Sequence, residues 1–392
     1  MISLRHDRRN GWTRACANVL TKVQRQWRVI GVLIFVWVFI FYFSRSHLTR
    51  AHEVTNLYLE FEDALSLGRE EVSRLHPHGF LEWAAASPYC GSHKWKPFPD
   101  RGSRRKIYDL VMVNSELDWL EICLNELHNH VDYSVVLESA TTFTGHPKPL
   151  AVGENWPRVE KFSKHIIYHV LENAPELNVS WDHDIHQRNA MFTQVLPHLT
   201  DVRGPNYDDV ILVSDLDKIP QPATLTLLRN CEFPRCLTFR TRFSYYGFQW
   251  LHRGTEWPHP QATTYQGPDN TILPRALRHG IHGIDLIKNF DEIGDLWNAA
   301  WHCSSCFSTI QELLTKMSSF SHVELNKEEF RAKSAIVERV RRGKDLWDRF
   351  GQWYQRVENN QDIPRYLKEN REKFRYMLNR DAANAGFVDY NP

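Results

Sequence analysis

Hydrophobic and polar positions change their period several times along this 392-residue chain, and the changes divide it. From Val29 to Phe43 the run "VIGVLIFVWVFIFYF" is apolar throughout, without charge or proline. The next part, to about residue 105, is irregular; it holds one amphipathic stretch, "NLYLEFEDALSLGREEVSRL", and a mixture of Pro, Gly and His. Regular order starts at "KIYDLVMVNSELDWLEICLNEL". Ile107 to Val113 reads as an apolar strand, and Leu117, Leu120, Ile122, Leu124 and Leu127 then recur at helical spacing. "VDYSVVLES" predicts a second strand ending at Glu138, "KHIIYHVL" a third, "HDIHQRNAMFTQVLPHL" a helix and "DDVILVS" a further strand. Short aliphatic strands alternating with helices predict an α/β layer fold with a mainly parallel sheet. Ligands of such sheets gather beyond the carboxyl ends of the strands. Asn114, Glu116, Glu138, Ser139, Asp215 and Asp217 stand there.

The first apolar run is flanked unequally. Arg5, Arg8, Arg9, Arg14, Lys22, Arg25 and Arg28 precede it against one acid, Asp7. Fifteen helical residues rise about 22 Å, short of the roughly 27 Å of an ER-type bilayer. Arg28 and Arg45 can snorkel, and Trp27, Trp37 and Tyr42 suit an interface. A buried core helix would show a polar stripe, and a cleaved signal peptide would end in small residues rather than "FYFSRSH". The expectation is a single N-terminal transmembrane signal anchor at 29–44, with a cytoplasmic tail at 1–28. A stem at 45–105, a catalytic domain at 106–350 and a C-terminal helical extension at 351–392 follow it. The basic excess orients the body toward the lumen, as a type II membrane protein of the secretory pathway, with Golgi and ER both open as its address.

Composition changes this picture little. A formal net charge of +1 excludes polyanion binding driven by overall charge, so nucleic acid is not an expected partner. Six cysteines follow the apolar run, an even number suited to an oxidising compartment; "CEFPRC" and "CSSC" are candidate local pairs, and connectivity stays open. Asn178 in "NVS" is an acceptor for a glycan in that compartment.

The sharpest local signal is "DDVILVSDLDKIPQP". Residues two apart on an extended strand share a face, so Asp215 and Asp217 can point together with Leu216 turned back into the core. Two carboxylates that close repel unless something cationic lies between them. Mn²⁺ or Mg²⁺ satisfies both and keeps sites for phosphate oxygens, the arrangement a nucleotide-sugar enzyme needs. The same tripeptide is also an ordinary polar strand end before the turn "IPQP".

Further blocks add to the carboxylate pair. "DLVMVNSELDWLEICLNELHNHVDYSVVLESATTFTGHPKPL", "QRNAMFTQVLP", "RFSYYGFQW", "WHCSSCF" and "SFSHVELN" flank it in order. Over roughly 106–349 the chain resembles the β-1,4-mannosyl-glycoprotein 4-β-N-acetylglucosaminyltransferase family, glycosyltransferase family 17. The resemblance implies a GT-A-type nucleotide-sugar-binding sandwich and inverting transfer of GlcNAc from UDP-GlcNAc to a mannose of a glycoprotein N-glycan in a β-1,4 linkage. It also implies a metal held by Asp215 and Asp217. The chain departs from the family pattern where Lys218 replaces a frequent Glu and where "NAAWHC" replaces A-G-W-H-C. Lys218 then lies near the diphosphate or faces solvent. Other readings keep the fold with a different donor or acceptor, or make the chain a catalytically degenerate, membrane-tethered glycan-binding protein.

An inverting displacement needs a base for the acceptor hydroxyl proton. Asp295, ahead of "WNAAWHC", is the first candidate, with Asp269 and Glu324 behind it. His302 is either a third metal or diphosphate ligand or a packed histidine beside a disulfide. A zinc site from His302, Cys303 and Cys306 is too clustered to close a tetrahedron. The block match suggests Arg188 near the diphosphate and Asn189 bonding nucleotide or sugar, against the alternative of a solvated helix face. Glu138 is positioned to accept from uracil or ribose, and Trp250 to serve as core or as sugar platform.

Overall fold

The computed structural model describes residues 57–76, 78–99, 104–172, 180–279, 292–320 and 322–392. One compact unit runs from Asp63 to Pro392. The described residues of the lead-in from Asp63 onward and those of the C-terminal extension therefore lie in the same unit as the expected catalytic domain. Residues 57–62, which belong to the other unit, are helical.

Ten strands form one sheet. In chain order they are β1 (Ile107–Val113), β2 (Tyr133–Glu138), β3 (Ile166–Val170), β4 (Val210–Asp215), β5 (Lys218–Pro220), β6 (Cys236–Tyr245), β7 (Gly247–His252), β8 (Gln261–Thr264), β9 (Ile293–Ser304) and β10 (Tyr354–Arg356). The lateral order is β10-β7-β6-β8-β4-β1-β2-β3, with β9 pairing both β5 and β6. The helices used below are α1 (Leu117–Leu127), α2 (Ser180–Thr193), α3 (Pro222–Asn230), α4 (Pro274–Arg278), α5 (Ile310–Ser319) and α6 (Lys333–Arg342).

Strand parity explains the layers. Ile107, Val111 and Val113 of β1 pack with Leu120, Ile122 and Leu124 of α1, whereas Tyr108 and Leu110 pack with Met191 and Phe192 of α2. In β4, Val210 and Leu212 join the α1 side and Ile211 and Val213 the α2 side. Asp215 follows the parity of Ile211 and Val213 and so faces α2. A third apolar cluster joins Phe243 and Tyr245 of β6 to Leu313 and Met317 of α5 and Val337 and Val340 of α6. Helix α6 stops at Gly343 in the left-handed region, φ 59°, where a Cβ would lie 2.4 Å from the Trp250 ring. Only glycine meets both demands.

Two expectations are corrected. The sheet is mixed rather than mainly parallel. β1/β2, β1/β4, β2/β3 and β6/β9 run parallel; β4/β8, β6/β8, β5/β9, β6/β7 and β7/β10 run antiparallel. Tyr246 alone separates β6 from β7, and so short a link joins only antiparallel neighbours. The architecture is thus a mixed α/β fold in place of a mainly parallel GT-A-type sandwich. The expected N-terminal transmembrane helix is not supported either, since no helix among the described residues is long and apolar enough to cross a membrane. Positions 29–44 themselves lie outside the described residues, as does Asn178.

Disulfides join Cys90 to Cys231 and Cys303 to Cys306. The second is the local pair in "CSSC". Cys231 pairs with the lead-in rather than with Cys236, and the bridge fastens residue 90 to the end of α3. Cys123 and Cys236 are buried outside these bridges.

Candidate active site

Chain order sets the place. From β1 the chain runs outward to β2 and β3 and then returns to β4 on the other side of β1, so the crevice beyond β1 and β4 is a topological switch point. Met112 is in register with Asp215, which puts Asn114 and Asp215 at its two lips. After β4 the chain turns within Leu216 and Asp217 and enters β5. Ser214 Oγ fixes the turn by donating to the carbonyls of Asp215 at 3.1 Å and Lys218 at 2.5 Å, while Cys303 N–H donates to the Asp217 carbonyl at 3.0 Å. Leu216 is buried in the core.

Four cations converge on the two carboxylates. Arg188 of α2 places Nη1 3.0 Å from Asp215 Oδ1 and Nη2 2.9 Å from Asp184 Oδ1, one helical turn earlier. Arg278 of α4 places Nη2 2.8 Å from Asp215 Oδ2. Lys218 Nζ bridges the pair, 3.0 Å from Asp215 Oδ2 and 2.6 Å from Asp217 Oδ1. Lys316 of α5 reaches Asp217 Oδ2 at 3.3 Å. Burial pushes both carboxyls up, but these cations outweigh it and hold Asp215 and Asp217 well below the usual carboxylate range. Both are ionised at neutral pH.

The surrounding elements are built to deliver those cations. Helix α5 starts on a capping box between Thr309 and Glu312 and buries Ile310, Leu313, Leu314 and Met317, which leaves Lys316 toward the crevice. Ser319 at its end accepts from Asn114 Nδ2 at 2.9 Å, tying α5 to the end of β1. Helix α4 opens on Pro274 and is held to α2 by Arg275 N–H donating to Asn189 Oδ1 at 3.0 Å. Asn189 thereby positions the helix that carries Arg278. Buried Nη1 atoms of Arg275 and Arg278 have no hydrogen-bond partner among the described residues.

His302 of β9 is in register with Lys218 and 2% exposed. Its ring stacks on Phe243 at 4.6 Å between centroids, and its Nδ1 is a buried atom without a hydrogen-bond partner among the described residues. Burial first, then Lys218 and Lys316, holds it well below the ordinary imidazole range, so it is neutral. His259 is pulled to about 2 by burial and Arg278. Trp257, 40% exposed, lies 5.5 Å from His302 and 5.6 Å from Phe243 between ring centroids. Beside Phe243 opens a cavity of about 270 Å³ lined by Arg242, His252, Arg253 and Glu256 among others.

The other candidates lie elsewhere. Glu138 is fully buried; it accepts from Val152 N–H at 3.1 Å, Gly153 N–H at 3.4 Å and the Tyr168 hydroxyl at 2.9 Å. Trp250 is buried in the cluster with α6. Asp295 makes a two-point pair with Arg240, Nε at 2.8 Å and Nη2 at 3.2 Å. It precedes His302 by seven positions on one strand, but a bulge between Trp297 and Trp301 absorbs two of them, so the span matches five positions of β6, roughly 16 Å at the usual rise. Glu324 is exposed and paired with His322. Among the residues not singled out from sequence, Arg278, Lys316, Asp184 and Trp257 belong to or border the site. The i,i+4 spacing of Asp184 and Arg188 was a readable signal for one of them.

The fit to a divalent cation is poor. Each of the four oxygens of Asp215 and Asp217 faces a protein cation, and no group of three or more His, Cys, Asp or Glu among the described residues could hold a metal ion.

The model of Glycosyltransferase family 17 matches residues 22–384. The chain belongs to that family. Curated relatives named β-1,4-mannosyl-glycoprotein 4-β-N-acetylglucosaminyltransferase, from rat, mouse and human, are each 26% identical over 306 residues. The match covers 70% of this chain and 54% of the rat and mouse proteins and 55% of the human one, so the chain spans about half the length of these relatives. A solved structure of the mannosyltransferase PcManGT from Pyrobaculum calidifontis, with GDP-Man and Mn²⁺, has a TM-score of 0.32 at 10% identity, covering 66% of this chain and 72% of that one. A likeness that low transfers neither fold type nor ligand.

Proposed function

We propose that this glycosyltransferase moves N-acetylglucosamine from UDP-GlcNAc, with inversion, to a mannose residue of a glycoprotein N-glycan. The names of the relatives support the sugar and the acceptor class. The observation that carries the donor reading is the cluster of Arg188, Lys218, Arg278 and Lys316 at the switch-point crevice, with a buried Arg278 nitrogen that has no acceptor among the described residues. A diphosphate supplies the acceptor oxygens such a cluster wants, and cations held there stabilise the charge that grows on the departing nucleotide. The acceptor hydroxyl forms the new C–O bond and gives up its proton to solvent as the anomeric bond to the diphosphate breaks, and the electron pair leaves with UDP. Trp257 and the cavity beside Phe243 offer the apolar face and polar rim that suit a sugar acceptor. The two disulfides support an oxidising compartment, and the Golgi lumen is the address carried forward.

The test is transfer from a panel of UDP- and GDP-sugars to N-glycans with exposed mannose, followed by product linkage analysis. UDP-GlcNAc giving a β-1,4-linked product is expected. Turnover confined to another donor overturns the donor reading, and a product on a non-mannose residue overturns the acceptor reading.

A further inference from the structure

The cations that fill the carboxylate pair carry an inference that rests on the donor reading and deepens it. A divalent ion needs carboxylate lone pairs facing open space. Here Asp215 Oδ1 faces Arg188, Asp215 Oδ2 faces Arg278 and Lys218, Asp217 Oδ1 faces Lys218, and Asp217 Oδ2 faces Lys316, all at 3.3 Å or less. Among the described residues Lys218 alone bridges the two acids, the position a shared metal would take. It is also fixed. Its residue belongs to β5, its carbonyl accepts from Ser214, and its side chain is 7% exposed, so the ammonium cannot swing into solvent as a surface lysine would.

The charge balance points the same way. Asp184, Asp215 and Asp217 stand against Arg188, Lys218, Arg278 and Lys316, so three negative and four positive groups leave a surplus of one positive charge (4 − 3 = 1). A doubly charged cation entering there meets net repulsion, whereas an anion meets attraction. An ammonium has three donors. Two of those on Lys218 serve the acids, and one is left for a ligand oxygen; Arg278, which shares Asp215 Oδ2 with Lys218, has an Nη1 without a partner among the described residues.

We propose that Lys218 is a built-in substitute for the divalent ion, and that Lys218, Arg278 and Lys316 bind the donor diphosphate without metal. The pair of aspartates then holds cations in place rather than coordinating one from solution.

Two binding measurements on the full chain decide this, neither depending on turnover. Uptake of Mn²⁺ alone is read from the resonance signal of the free ion, and UDP binding is read by calorimetry in EDTA and in Mn²⁺. The wild type is expected to leave the Mn²⁺ signal unchanged and to bind UDP equally in both buffers. Lys218→Met, which keeps length but not charge, is expected to take up Mn²⁺ and to weaken UDP in EDTA by about tenfold or more, the worth of one charge-assisted contact. Lys218→Arg, which keeps the charge, should still exclude Mn²⁺. Uptake of Mn²⁺ by the wild type, UDP affinity that rises tenfold or so with Mn²⁺, or no UDP binding in EDTA would each overturn the proposal. If Lys218→Met does not fold, the wild-type arms still decide. UDP bound without metal, together with no transfer from UDP-GlcNAc, keeps this inference and removes the donor reading instead.

Discussion

Glu138 and Asp215 end the strands on either side of β1, and both are acids placed where a parallel run of strands gathers its ligands. Their partners differ in kind. Glu138 is satisfied mainly by backbone N–H groups of Val152 and Gly153 and by the Tyr168 phenol, groups fixed by the fold itself, with Lys148 Nζ farther off at 3.5 Å. Asp215 is satisfied by the tips of three long cationic side chains from three separate elements. Backbone donors cannot be released to a ligand without undoing the short helix Ala151–Glu154. Arginine and lysine tips can tilt a little and keep one donor on the acid while another meets an incoming oxygen. The same sequence signal, an acid just past a buried strand, thus serves as an anchor in one place and as a holder of ligand-binding groups in the other.

Removing each acid separates those roles. Asp215→Ala leaves Arg188, Lys218 and Arg278 without their shared anion. Breaking a buried pair costs about 3–5 kcal/mol, and the 23% exposure of Asp215 puts the loss at the lower end. Urea denaturation should show that loss, and transfer should be abolished. Glu138→Gln replaces one acceptor oxygen by a donor facing other donors; a loss of about 1–3 kcal/mol is expected, with UDP affinity unchanged. The comparison breaks if Glu138→Gln keeps its stability and loses UDP binding, because Glu138 would then be meeting ligand.

Local periodicity carried much of the fold in this chain. β1, α1, β2 and β4 were legible because each keeps one period over its length, and the parity that turns Leu216 inward was legible for the same reason. The mixed character of the sheet was hidden because β6 to β9 lie beyond the clean alternation, and their pairing depends on one-residue turns and returns that no local window records. At the site, Asp215 and Asp217 announced themselves by spacing alone. Lys316 and Arg278 did not, since one is a polar position on an amphipathic helix and the other ends a helix of five residues, α4. Only the tertiary fold brings those two to the acids. Asp295 was attractive by its nearness in sequence to His302, but along a single strand that nearness becomes distance.

The histidines beside the pair sharpen the comparison through pH. His259 is pulled to about 2 and His302 well below its ordinary value, in both cases by burial first. In the unfolded chain each titrates near 6.5, so below that pH the unfolded state binds protons that the folded state refuses. Stability should therefore fall with pH from about 6.5 downward, by up to roughly 1.4 kcal/mol per pH unit for each histidine. Asp215 and Asp217 act in the same direction but in a lower window. Their carboxyls are held low, so their contribution is intact above the unfolded value near 4 and is lost only as pH falls beneath it. Denaturant midpoints from pH 7 to 4.5 should then slope downward in the wild type and less steeply in His302→Gln. An equal slope in the two would remove His302 from the cause.

Trp257 tests the other side of the crevice. Its ring is partly exposed and close to both His302 and Phe243, but it has no part in the ion cluster. Trp257→Ala should leave UDP affinity nearly as it is, while the denaturation midpoint falls with the lost ring contacts to Phe243, His259 and His302. The acceptor KM should rise several-fold, in line with the roughly 1 kcal/mol that an aromatic face contributes beyond its area. A change in UDP binding instead would move Trp257 to the donor side and place the nucleotide over β6 rather than over β1 and β4. An unchanged acceptor KM would leave the cavity lined by Arg242 and Glu256 to recognise the acceptor without an aromatic platform, through polar contacts alone.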